Sequence, residues 1–195
     1  MSRYDVIAIG ASAGGLFALS EVLRHLPADF PATVLIVQHL SPRHKSHLSE
    51  LLGHVTALAV CEASDGVPLM AAMAYVAPRD EHLVVKDGVL RLVHSEAVRF
   101  VRPSIDLLFE SVAQQYGDRA VGVILSGALR DGTRGVQCIK EAGGVTLAED
   151  PSDAEFPSMP LSAVSTGCVD RVLPLAEMGP ALISLCSGEP NSNGG

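Results

Sequence analysis

The stretch Val6-Ile-Ala-Ile-Gly-Ala-Ser-Ala-Gly-Gly15 decides the fold. Its first residues form a short apolar run, and a glycine-rich turn follows at once. Leucines then recur at helical spacing from Leu16 to Leu26, until Pro27 ends the helix. A short apolar strand that leads through a tight turn into an amphipathic helix is the repeating unit of a parallel α/β sheet.

The alternation of apolar strand and amphipathic helix continues along most of the chain. Strands are predicted over 33–37, 120–125 and 145–148, with helical patterns after them. The middle differs, because two short strands there flank Asp87-Gly88, a pair typical of a β-hairpin turn. We therefore predict an α/β fold of three layers (αβα), with a doubly wound, mostly parallel sheet and a small β-hairpin insertion.

Length and composition set the domain organisation. The chain has 195 residues, of which 48% are hydrophobic, and this suits one domain with a sizeable core. We expect the domain to span residues 1–186. Residues 187–195 are rich in Ser, Gly, Pro and Asn, so we expect them to form a disordered tail.

Charge, hydropathy and cysteine usage narrow the function classes. The net charge is −8 and no basic stripe occurs, so nucleic acid is not an expected partner. No apolar run approaches the roughly 20 residues of a membrane span, and the N-terminus leads into a strand rather than a signal peptide. The four cysteines lack C-x-x-C spacing. We expect a cytoplasmic protein with free thiols, no membrane insertion, no metal and no cofactor.

Ser12 is the first candidate for chemistry. It lies where a strand turns into a helix, and the amides of the first helical turn favour negative charge at that point. These features suit a nucleophile with an oxyanion site. The same loop half-resembles a dinucleotide-binding turn, but the second strand ends in Gln38-His39 rather than in the acidic residue that a ribose requires. A nucleophile, a phosphate site and a plain structural turn all remain open for this loop alone.

His39 and Asp131 follow two other strands of the predicted sheet. His39 comes directly after the second apolar strand, and Asp131 lies in a Gly-containing loop after the strand at 120–125. Because the carboxyl ends of parallel strands share one edge, both side chains are expected near Ser12. A surface histidine and a helix-capping aspartate are the alternative interpretations. Together the three residue types supply a nucleophile, a general base and an orienting carboxylate.

Six ordered motifs resemble one known family, the CheB methylesterase catalytic domain, over roughly residues 4–186. They are Ile9-Gly-Ala-Ser-Ala-Gly-Gly15, Val37-Gln-His-Leu40, Tyr75-Val-Ala-Pro78, Arg102-Pro-Ser-Ile-Asp106, Val123-Ile-Leu-Ser-Gly127 with Asp131-Gly132, and Val169-Asp-Arg-Val-Leu-Pro174.

The resemblance implies that Ser12 is the nucleophile, His39 the base and Asp131 the orienting carboxylate. It implies hydrolysis of glutamate methyl esters on the cytoplasmic helices of methyl-accepting chemoreceptors, with deamidation of receptor glutamines in some members. We expect the oxyanion to be bound by backbone near Ala13 and, as in the family, by the loop that contains Gly127 and Ala128.

Two departures from the family pattern raise an alternative. Leu129 replaces a usual glycine, and a leucine would be strained there if the position has a positive φ. Ala13 stands where the family often has threonine. These changes motivate a second hypothesis, a non-catalytic module that binds a receptor or another partner. A third hypothesis is a nucleotide-binding protein that uses the loop at 10–15.

Family members commonly carry a phosphorylatable receiver domain, and we expect none in this chain. We therefore expect no control by phosphorylation within the chain, and a separate regulatory protein is a candidate partner.

Three further residues are candidates for the substrate rim. Arg99 and Arg102 are cations suited to acidic receptor segments, although an ordinary surface role is the favoured alternative for both. Met159 lies in a segment that lines the rim in the family. A metal site is the less favoured alternative for His44, His47 and Glu50, which we expect to form a solvated helix face.

Overall fold

The computed structural model describes residues 4–39, 47–98 and 101–187. Its strands and helices alternate as the apolar pattern predicts. In chain order they are β1 (Val6–Ala11), α1 (Gly15–Leu23), β2 (Thr33–Gln38), α2 (Leu48–Gly53), β3 (Ala59–Glu62), β4 (Met73–Val76), β5 (His82–Lys86), β6 (Val89–Val93), α3 (Ile105–Tyr116), β7 (Ala120–Ile124), α4 (Thr133–Glu141), β8 (Val145–Glu149), α5 (Ser158–Val164), β9 (Arg171–Leu173) and α6 (Leu175–Ser187).

Seven strands form one sheet in the order β3-β4-β2-β1-β7-β8-β9, and each neighbouring pair is parallel. The strands β5 and β6 form a separate antiparallel hairpin around Asp87-Gly88. This confirms the predicted doubly wound parallel sheet with a hairpin insertion. The strand β1 lies at the centre, with β2 on one side and β7 on the other.

Helices cover both faces of the sheet, so the fold has the three layers that the sequence predicts. One apolar cluster joins the sheet to α1, α2 and α6, and the other joins it to α3, α4, α5 and the hairpin. The strand β1 is buried along its whole length because it contributes to both clusters. Burial on two faces explains why the central strands read as continuous apolar runs.

The ends of the chain bear on the predicted domain limits. The helix α6 continues to Ser187, and the rest of the predicted tail lies outside the described residues. Among the helices that the structure describes, none combines the length and the apolar content of a membrane span.

The sheet order brings the carboxyl ends of β1, β2 and β7 together at one edge. The connection after β1 leads to β2 on one side, whereas β7 lies on the other, so β1 marks the point where the strand order reverses. In open α/β sheets, ligands bind at the carboxyl ends of the strands at such a point. The helix α3 begins directly over this edge because Gly10 has no side chain, and a Cβ there would lie 2.5 Å from Ile105 Cγ2.

Candidate active site

A half-buried histidine and a buried carboxylate form a pair at the carboxyl edge of the sheet. His39 follows β2, Asp131 follows β7, and His39 Nε2 lies 2.8 Å from Asp131 Oδ2. The side chains are 13% and 3% exposed, respectively, so the contact is shielded from bulk water. Residues that are 92 positions apart in sequence therefore meet, as their places after two strands of one sheet predict.

Asp131 is fixed by the start of α3. The amides of Ile105 and Asp106 donate to its two carboxylate oxygens at 2.6 and 3.1 Å, and the Ser104 hydroxyl donates to Oδ1 at 3.1 Å. Its own next amide, that of Gly132, also donates to Oδ1 at 3.1 Å. The carboxylate therefore has donors on both oxygens before it meets His39.

These donors decide the ionisation of Asp131. Burial alone would raise its pKa, but the hydrogen bonds from His39 and from the amides of Ile105 and Asp106 outweigh burial. The pKa of Asp131 consequently lies below its ordinary value. The carboxylate is ionised at neutral pH, which is the state that orients an imidazole and stabilises its protonated form.

Ser12 lies one residue beyond the paired ends of β1 and β2. Ala11 and Gln38 are register partners, and the amide of His39 donates to the carbonyl of Ala11 at 3.1 Å. Ser12 and His39 are therefore the first residues after two neighbouring strands. Ser12 is half-buried, whereas Ala11 before it is buried, so the turn brings the serine toward the surface.

The side-chain amide of Gln38 ties these two strand ends together. Its Nε2 donates to the carbonyls of Ser12 and His39 at 2.6 and 3.0 Å. Its buried Oε1 has no hydrogen-bond partner among the described residues. Gln38 therefore fixes the separation of the serine turn from the histidine, a role that the sequence analysis did not assign although Gln38 directly precedes His39.

Ser126 and Glu149 hold the serine turn from the other side. The amide of Ser12 donates to the Ser126 carbonyl at 3.0 Å, and the Ser126 hydroxyl donates to the Ala13 carbonyl at 3.0 Å. Glu149, 2% exposed, accepts from the Ser126 amide at 2.7 Å. Burial raises the pKa of Glu149, against the lowering effect of the Ser126 amide. These contacts span 23 residues or more, so no local sequence signal reveals them.

Gly127 permits close packing around Ser12. A Cβ on Gly127 would lie 2.9 Å from Ser12 Cβ and 2.2 Å from Met159 Sδ. Any larger residue would therefore displace the serine or the methionine. Met159 is 1% exposed and packs against Gly127, so it is not part of an open rim, which corrects the expectation for that residue.

Two backbone amides near Ser12, those of Ala13 and Ala128, have no acceptor among the described residues. Both residues are half-buried. Gly127 differs, because its amide donates to the Phe156 carbonyl at 2.9 Å. The oxyanion role expected for the Gly127 amide therefore does not fit this geometry.

The charged rim candidates have other roles or lie outside the structure. Arg102 donates to Asp80 Oδ1 at 2.6 and 2.9 Å and to the Ser95 carbonyl, contacts that suit the surface role weighed as its alternative. Arg99 lies outside the described residues, as does His44 of the metal alternative. His47 Nδ1 is 2.9 Å from Glu50 Oε2 on an exposed face.

Leu129 has the strained backbone that the sequence analysis raised. Its φ is +72°, a left-handed conformation that disfavours residues with a Cβ. The side chain is 64% exposed and, with Leu161, lines a groove of about 620 Å³ beside Asp131. Because the leucine is exposed, burial of its side chain in the core does not offset the energetic cost of its backbone conformation.

Replacing this leucine should stabilise the protein. We expect Leu129→Gly to raise the free energy of unfolding by about 1 kcal/mol, because glycine adopts φ near +72° without a steric cost and little apolar burial is lost. The measurement is urea denaturation. Leu129→Ala is the matched control, since it shortens the side chain but keeps the Cβ, and an equal gain in that variant would contradict the strain argument.

The fold and the site together define a class of protein. It comprises the α/β proteins with a serine, a histidine and an aspartate at the carboxyl edge of a parallel sheet, whose chemistry is acyl transfer. The family model of the CheB methylesterase matches residues 7–182. The chain belongs to this family.

Individual relatives agree with the family match. A protein-glutamate methylesterase/protein-glutamine glutaminase 2 of Anaeromyxobacter dehalogenans is 46% identical over 184 residues, which are 94% of this chain but 54% of that protein. FrzG, a protein-glutamate methylesterase of Myxococcus xanthus, is 41% identical over 92% of this chain and 54% of that protein. The chain thus spans about half the length of these two relatives. It covers 95% of a 39% identical relative from Leptospira interrogans.

A solved structure gives the same result for the fold. The crystal structure of the Thermotoga maritima CheB methylesterase catalytic domain matches with a TM-score of 0.89 and 34% identity. The match covers 93% of this chain and 98% of that one. The hairpin and the seven-stranded sheet therefore belong to one shared architecture.

Proposed function

We propose that this chain is a protein-glutamate methylesterase that hydrolyses glutamate methyl esters on the cytoplasmic helices of chemoreceptors. The observation that carries the proposal is the 2.8 Å contact between the half-buried His39 and the buried Asp131, beside a serine at a strand-to-helix turn. The names of the relatives supply the substrate class. The reaction belongs in the cytoplasm, where those receptor helices lie.

The proposed reaction begins with Ser12. Because His39 Nε2 is bonded to Asp131, Nδ1 is the ring nitrogen that accepts the proton of Ser12 Oγ. The Ser12 oxygen attacks the ester carbonyl, and the resulting oxyanion is bound by the amides of Ala13 and Ala128. The C–O bond to the methoxy group then breaks, and His39 returns the proton, so methanol leaves and an acyl-serine remains.

Water completes the proposed cycle. His39 Nδ1 takes a proton from a water molecule, which attacks the acyl-serine carbonyl. The bond to Ser12 Oγ breaks, the serine regains its proton, and a glutamate carboxylate is released. Asp131 holds the imidazole in one orientation throughout and does not itself exchange a proton. Attack on a glutamine side chain by the same route would release ammonia, which is the proposed deamidase activity.

The experiment is methanol release from a receptor cytoplasmic fragment that carries tritium-labelled methyl esters. We expect the chain alone to release labelled methanol with multiple turnovers. A partner-binding module that retains the fold would bind the fragment and release none. The exposed Leu129 with its strained φ is the observation that favours this second candidate, and the absence of methanol release would support it.

A further inference from the structure

His82 is a buried titratable residue that the proposed reaction does not use. It is the first residue of β5 in the hairpin and has no exposed surface. The amide of Ser104 donates to its Nδ1 at 3.1 Å, so Nδ1 carries no proton. Its Nε2 lies 3.1 Å from the Glu96 carbonyl and therefore carries the proton. Two backbone contacts thus fix the orientation and the tautomer of the ring inside the protein.

Ser104 links this histidine to the carboxylate. It is fully buried and directly precedes α3, where its hydroxyl accepts from the Leu107 amide at 3.4 Å as a helix cap. The same hydroxyl donates to Asp131 Oδ1 at 3.1 Å. Ser104 is therefore bonded to His82 through its backbone amide and to Asp131 through its side-chain hydroxyl.

Other hydrogen bonds also join the hairpin to α3, at positions further from Asp131. The amide of Val85 donates to Ser111 Oγ, and the amide of Asp87 donates to Gln115 Oε1, both at 2.9 Å. These hydrogen bonds join the hairpin to α3, and among the described ones the bond at His82 is the one that adjoins the amides that bind Asp131. The other two lie further along the helix and offer matched controls.

We infer that His82 is a positioning residue, which acts through Ser104 to hold Asp131 against His39. The inference rests on the proposed methylesterase function. If His82 no longer accepts from the Ser104 amide, that amide is left buried and unpaired, and the first turn of α3 shifts to find a partner. Asp131 follows this turn because three of its donors belong to it.

Two substitutions separate the role of each ring nitrogen. His82→Asn keeps an acceptor oxygen close to the position of Nδ1, whereas His82→Gln keeps a donor near Nε2 and loses the acceptor. We expect His82→Gln to lower kcat about 10-fold or more with KM within about twofold, and His82→Asn to retain most of the activity. Ser111→Ala removes a different hydrogen bond between the hairpin and α3, so it should keep kcat while lowering the melting temperature.

A spectroscopic measurement tests the same inference without turnover. The proton shared by His39 and Asp131 should give a low-field ¹H NMR resonance in the wild type, in His82→Asn and in Ser111→Ala. We expect this resonance to shift or broaden in His82→Gln. If that variant does not fold, Ser104→Ala tests the link through which His82 is inferred to act, because it removes the hydroxyl bond to Asp131. We expect the resonance to shift or broaden in Ser104→Ala, and an unchanged resonance there would overturn the inference.

The outcomes decide the inference in each case. Wild-type kcat and an unchanged resonance in His82→Gln would overturn it. An equal loss of kcat in Ser111→Ala, or in His82→Asn, would also overturn it, since a general structural role would then suffice. If the wild type releases no methanol, the proposed function fails, and the resonance of the variants still decides whether His82 positions Asp131.

Discussion

Replacing Ser12 with alanine should lower methanol release by about 10³-fold or more, the largest effect that we expect. The substitution removes the only atom that forms the acyl-enzyme in the proposed reaction, whereas the oxyanion amides stay in place. The turn itself should stay in place, because the Ser12 side chain makes no hydrogen bond to another residue that the structure describes. The measurement is the release of tritiated methanol from the methylated receptor fragment under single and multiple turnover.

The control for this variant is Ser20→Ala. Ser20 lies in α1, and its hydroxyl donates to the Leu16 carbonyl on an exposed surface. Its loss should leave kcat within about twofold, since exposed helix contacts of this kind contribute little. Methanol release by Ser12→Ala at the rate of the control would contradict the proposed nucleophile.

Asp131→Asn should have the second largest effect, a loss of about 10³-fold in kcat. The substitution removes the negative charge that orients and stabilises the protonated imidazole. It also replaces one acceptor oxygen by an NH₂ group that faces donors, since Ile105, Asp106, Ser104 and His39 all direct hydrogens at this carboxylate. We therefore expect a loss of stability of about 2 to 4 kcal/mol beside the loss of turnover.

The loss of stability in Asp131→Asn should depend on pH. The pKa of Asp131 is lower in the folded protein than its ordinary value, so its ionised form stabilises the fold above the pKa of the unfolded chain. This contribution disappears as the pH falls through the folded pKa. Urea denaturation should therefore show a large difference between wild type and Asp131→Asn at pH 7 that shrinks below about pH 4.

Asp170→Asn is the matched control for the carboxylate. Asp170 also accepts from a backbone amide, that of Thr146, and its pKa is also lowered, because donors from Lys140 and Thr146 outweigh burial. It lies before β9, at the amino edge of the sheet. We expect a reduced stability with kcat within about twofold. A comparable loss of kcat at both positions would contradict a specific role for Asp131.

The fold was predictable because its signals are local. The apolar runs of β1, β2 and β7 are buried on both faces, and each is followed by a helix with an apolar stripe, so strand and helix order follow from periodicity alone. The hairpin follows from Asp87-Gly88 in the same way, and Asp87 has the positive φ of such a turn. Since parallel strands end at one edge, the meeting of His39 with Asp131 also follows from the strand order.

The hydrogen bonds that hold the site residues in place could not be predicted from local patterns. Gln38, Ser126, Glu149 and His82 each act through hydrogen bonds to residues that are distant in sequence or to carbonyls of a turn. A polar residue in an apolar segment signals burial with a partner but does not identify the partner. The ion pair of Arg102 was not predictable for the same reason, because its partner Asp80 lies 22 residues away in sequence.

For Leu129 the sequence predicts strain only on the condition that its backbone has a positive φ. The departure from glycine was visible, but only the backbone shows that the position has a φ of +72°. The same residue is exposed beside the groove next to Asp131, so its effect on substrate binding depends on the side chain as well as on the strain.

Covalent labelling of the serine tests the central claim most directly. The wild type is treated with a fluorophosphonate, digested and mapped by mass spectrometry, with His39→Ala alongside it. We expect one adduct on the peptide that contains Ser12 in the wild type, and a strongly reduced yield in His39→Ala, because the imidazole no longer takes the proton. An unlabelled wild type, or an adduct on a different serine, would contradict the account.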